Sequence, residues 1–177
     1  VVSFSGQYSS FVSLNANDRP YYKGNPTRGE VSLMINVYWG TEYLDDMLAI
    51  FDKYGISTTF FVGGSWVAQY PEMLQKIVDA GHEVGNHGFY HKDHSKLDYD
   101  ANLQEIKSCG KLVFEYSGVN MTLFAPPSGY YCNATLNAAK ECNNKIIMWS
   151  RDTIDWRDKD AETVYTRATK DTDSGEL

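Results

Sequence analysis

The 177 residues hold no long apolar run, few cysteines and no dense basic cluster, and each shortage removes a class of protein. A helix that crosses a bilayer needs roughly 18 to 20 apolar residues in succession, so no membrane insertion by this segment is expected. Val1 to Ser10 lacks the basic start and apolar stretch of a secretory leader. Cys109, Cys132 and Cys142 make neither a disulfide framework nor a CxxC zinc knuckle, and both a Cys132–Cys142 pair and free thiols stay open. Lysine and arginine number 16 against 23 acidic residues, a net charge of −7. Without a basic run to neutralise phosphates, a nucleic-acid partner is not expected.

What is present suits one folded domain. Hydrophobic residues make up 42% and aromatic residues 14%, enough for a sizeable core at this length. The 13 tyrosines and 4 tryptophans include rings that can stack on sugars, although most should serve the core. Residues 1–30 are polar and aperiodic and read as an extended lead-in, with the organised domain over 31–177.

From Val31 onward, short β-branched runs alternate with helical spacing. Val31 to Tyr38 reads as a buried strand, followed by a helix from Leu44 that Gly55 stops. Ser57 to Val62 precedes a helix over Pro71 to Ala80, with proline in its first turn. Glu83 to Gly85 precedes a helix over Tyr99 to Tyr116 that Gly118 closes. Met121 to Phe124, a helix over Ala134 to Glu141, Lys145 to Trp149 and a helix over Ala161 to Thr169 complete the series. Such alternation implies parallel strands covered by helices, as an open doubly wound sheet or a barrel. In either architecture, functional groups collect at the carboxyl ends of strands, which is where the polar clusters fall.

Three histidines lie within ten residues. His87 and His91 are four apart after a buried strand, a spacing that puts two neutral imidazoles beside one divalent metal. His82 precedes the strand and reads as structural or exposed, and His94 as an exposed loop residue. Trp149 to Trp156 brackets Asp152 and Asp155 with two tryptophans directly after a strand. Those carboxylates suit holding a histidine, binding metal or accepting sugar hydroxyls. Phe124 to Tyr130 is a proline-stiffened loop fit for a groove wall.

Together these segments resemble the polysaccharide deacetylase family (carbohydrate esterase family four), over about Val31 to Trp156. Ile56 to Val62 is similar to the family's ATFFV strand and Asn86 to His91 to its NHTxxH motif. Phe124 to Gly129 is similar to FRPPYG, and Trp149 to Trp156 to WSxDxxDW. The resemblance implies a distorted, incomplete parallel (β/α) barrel and a divalent metal, most often zinc, held by His87 and His91. It implies a hydrolase that removes N-acetyl groups from an N-acetylglucosamine polysaccharide, peptidoglycan or chitin-like. Asn36 and Asp155 take the catalytic positions, and Tyr38, Trp39, Pro127, Tyr130 and Trp156 the substrate groove. Asp155 would hold a histidine from a later segment, with Trp156 packed beneath. Export or a cell-surface location is implied as well.

Three departures fall on the chemistry. Where the family reads TFDDG, this chain reads Met34 to Gly40, so Asn36 takes the place of the base and Val37 that of the metal-binding aspartate. Ala125 replaces the arginine that steadies the base, and the final LxH motif is missing. The chain is closer to a sub-branch with NVxWG and FAPPSG motifs. The alternatives are a catalytically silent carbohydrate-binding homologue and a metal-dependent O-acetyl esterase.

Overall fold

The computed structural model describes residues 19–177, so most of the expected lead-in lies outside the described residues. Five strands form one parallel sheet in the order β1 (Met34–Val37), β2 (Thr59–Val62), β3 (Glu83–Asn86), β4 (Leu123–Phe124) and β5 (Lys145–Ile146). The helices are α1 (Leu44–Tyr54), α2 (Gly64–Gln69), α3 (Pro71–Asp79), α4 (Tyr99–Ser117), α5 (Asn133–Glu141) and α6 (Ala161–Thr169). Strand order follows chain order, as short βα connections require.

The sheet is open rather than closed into a barrel. Near its two edges, Gly175 to Leu177 links the segments flanking them: Ser32 N–H donates to Glu176 O, and Ser150 N–H and Arg151 N–H donate to Leu177 O. Tyr21 extends the β5 side through a parallel bridge to Ile147, so residues just before Val31 already pack on the domain.

Alternation along the strands sorts side chains between the two sheet faces. Val37, Phe60, Val62 and Val84 join Leu44, Phe51, Trp66, Leu74, Ile77, Cys109 and Val113 in the main core under the helices. Phe61 faces the other way, in register with Gly85. Glycine is required there, because a Cβ on Gly85 would lie 2.4 Å from the Phe61 ring.

Local signals end the helices where the spacing predicts. Gly55 and Gly118 cap α1 and α4 in the left-handed conformation, and Asp98 and Asp160 cap the N-termini of α4 and α6. Helix α2 is not foreseen by sequence spacing. It is short, begins at glycine, and is held in place by burial of Trp66 and Val67. All three cysteines are free.

Candidate active site

The chain leaves β3 at Asn86 and turns at His87, whose N–H donates to Val62 O at 3.0 Å. His87 is 2% exposed. Its Nδ1 lies 2.8 Å from Ala125 O, and since a carbonyl can only accept, Nδ1 carries the hydrogen and Nε2 keeps a lone pair. Burial, helped by the neighbouring His91, pushes the imidazole pKa down to about 3. His87 is therefore neutral at ordinary pH.

His91 is half-buried, with its ring centroid 5.1 Å from that of His87. The pair meets across a loop rather than on a helical turn, and His91 itself adopts a left-handed φ of 53°. Burial lowers its pKa as well.

The loop is fixed from α4. The buried Glu105 accepts hydrogen bonds from Phe89 N–H at 2.9 Å and Tyr90 N–H at 2.7 Å through Oε2, and its Oε1 lies 3.1 Å from Lys92 Nζ. Asn86 Oδ1 accepts from Gly88 N–H, while its amide donates to Ile106 O. His94 is fully buried, not exposed. Its Nδ1 lies 2.7 Å from Asn102 Oδ1, and the Asn102 amide donates to the carbonyls of His94, Leu97 and Asp98. His82 is structural: it accepts from Thr58 N–H and packs on Phe51 and Phe60.

At the end of β1 the side chains fall differently from the motif reading. Val37 is buried in the main core and cannot face the histidine pair from there. Asn36 is exposed and in register with Phe61. The residue on His91 is Tyr38, at 4.7 Å between ring centroids, joined by Trp39 at 5.2 Å. Tyr38 also covers Gly63, where a Cβ would come within 2.4 Å of the ring.

The structure thus brings Tyr38, Trp39, His87 and His91 together. Pro127 is buried in the turn Pro127–Gly129, and Tyr130 beside it is exposed. Asp155 is exposed and accepts from Thr153 Oγ1, and Trp156 is 71% exposed rather than packed beneath it. Among the described residues, no ring or polar contact joins Asp155 or Trp156 to the histidines.

Among the described residues, the donor set falls short of what the expected metal takes. Zinc bound by protein alone takes three or four ligands, and a catalytic site needs three plus an open position. Among the described residues, no group of three or more histidine, cysteine, aspartate or glutamate side chains could hold an ion. Sequence reasoning missed Asn102 and Glu105. Their signal was faint: two polar residues in register with Ile106, Cys109 and Val113 along the buried face of α4.

No described helix is long and apolar enough to cross a membrane. Comparison with known proteins matches the "Polysaccharide deacetylase" family model over residues 23–147. An uncharacterized Bacillus subtilis protein, YlxY, is 39% identical over 148 residues, covering 84% of this chain and 46% of that protein. The peptidoglycan-N-acetylmuramic acid deacetylase PdaA of Bacillus subtilis is 28% identical over 138 residues, 77% of this chain and 52% of PdaA. The chain thus spans about half the length of these curated relatives. Among solved structures, a CE4 family pseudoenzyme from Bacillus anthracis superposes with a TM-score of 0.87 at 33% identity, over 90% of this chain and 57% of that one. A mutant of that pseudoenzyme has restored enzymatic activity.

Proposed function

Because the chain belongs to the polysaccharide deacetylase family, we propose that it engages an N-acetylated cell-wall glycan of peptidoglycan type as a catalytically degenerate homologue. The family implies hydrolysis of amide bonds, and it also contains pseudoenzymes. One observation carries the reading: the Tyr38 ring lies on His91 where a third, acidic donor would be needed. Tyr38 thus stands in the place of the metal-binding aspartate, while Val37 lies in the main core, turned away from the histidine pair. The position facing His91 is therefore Tyr38, one residue beyond Val37. A valine cannot accept a proton, and Ala125 offers no cation to steady a carboxylate. No metal-activated step is assigned to these residues.

A second reading, a working deacetylase, is favoured by the retained pair His87 and His91, with Nε2 of His87 free to ligate. An acetate-release assay separates the two. Purified protein supplied with zinc and either peptidoglycan or an N-acetylglucosamine oligomer should release no acetate above a protein-free blank. Steady zinc-dependent release that disappears on His87→Ala would overturn the degenerate reading.

A further inference from the structure

We infer that Tyr38, Trp39 and His91 form a stacking platform for the apolar face of an N-acetylhexosamine ring, so that this centre holds glycan without a metal. The inference deepens the degenerate reading above and rests on it. Trp39 is 74% exposed, yet it is not loose. Its ring stands edge-on to Tyr38 at 5.0 Å and tilted over His91 at 5.2 Å. The next residue is tied to the core, because the buried Trp66 indole N–H donates to Gly40 O at 2.8 Å. A large apolar ring that already rests on two neighbouring rings presents its area at lower entropic cost than one without contacts.

Beside the platform, the hydrogen bond from His87 Nδ1 to Ala125 O leaves Nε2 as an acceptor with a free lone pair. An exposed indole face, braced by two tilted rings and set next to an acceptor, matches a pyranose, which has a face of C–H bonds and a rim of hydroxyl and amide donors. Charge points the same way. The neighbouring Lys92 is paired with Glu105, and the chain is acidic, so an anionic ligand is disfavoured.

The test is calorimetric titration of the whole 177-residue chain with an N-acetylglucosamine tetramer, with EDTA present and again with zinc. The parent should bind equally under both conditions. Trp39→Ala should weaken binding by at least about tenfold, the scale of a lost aromatic anchor, and Trp39→Phe should recover part of it. Because Trp39 is exposed, both variants should keep the parent melting temperature. Absence of sugar binding by the parent, loss of binding in EDTA, or Trp39→Ala binding as the parent does would each overturn the platform. Acetate release on added zinc would sink the degenerate reading while leaving a Trp39-dependent, metal-independent affinity standing. The two failures are therefore distinguishable.

Discussion

Tyr38 puts a phenol ring 4.7 Å from the His91 ring, on the side of β1 opposite to the buried Val37. A carboxylate introduced at 38 would join two neutral imidazoles and complete three donors, whereas one at 36 or 37 would not. Tyr38→Asp should raise zinc affinity by at least about tenfold, equivalent to roughly 1.4 kcal/mol. Calorimetry on Asn36→Asp, Val37→Asp and Tyr38→Asp would decide. If Val37→Asp conferred the affinity and Tyr38→Asp did not, the one-residue shift in register would be wrong. Asn36→Asp should leave both zinc affinity and acetate release unchanged.

Among the elements, α4 does more than cover the sheet. Its buried Glu105 satisfies two backbone N–H groups of the loop between His87 and His91, and the Asn102 amide lies within hydrogen-bond distance of three carbonyls at the loop's far end, Leu97 and Asp98 being nearer than His94. Removing a buried acceptor leaves those donors unpaired, at about 1–3 kcal/mol, and exposes the loss of the Lys92 pair as well. Glu105→Ala should therefore destabilise the domain by roughly 2–4 kcal/mol in urea unfolding. A change below about 0.5 kcal/mol, the usual scale for surface positions, would show that the loop is held by other means. The extent of α4 was legible in its helical spacing and its Gly118 stop. Its role was not, because Glu105 and Phe89 are brought together by packing and carry no joint sequence signal.

For the whole molecule, all four histidines have pKa values below their ordinary range, chiefly through burial. The unfolded chain takes up these protons near pH 6.5, whereas folded His87 does so near 3. The unfolded state therefore binds more protons across that interval, and stability falls as pH drops below 6.5. Above 6.5 this contribution is fully present. His87 alone accounts for a slope of at most about 1.4 kcal/mol per pH unit. Urea unfolding in EDTA at pH 7, 6 and 5 should show a declining midpoint, with a shallower decline in His87→Gln. A parent midpoint that stays flat over this range would contradict neutral, buried histidines. Below about pH 4.5, carboxylates such as Asp158 and Glu176, whose pKa values are lowered by Arg157 and Lys23, add their own losses.

By itself the sequence determined the alternation of strands and helices, their caps, the clustering of polar residues at strand ends and the family. These are local: period, turn chemistry and motif spacing are written in consecutive residues. Which residues meet depends instead on long-range packing. A one-residue shift turns a strand's side chains to the other face of the sheet, so the motif spelling could not say whether Val37 or Tyr38 lies on His91. The free Nε2 of His87 depends on a carbonyl 38 residues away, and the open sheet edge on segments at opposite ends of the described chain. Burial of His94 likewise follows from Asn102 and Phe124 packing around it, a long-range result that its polar neighbours Asp93 and Ser95 conceal.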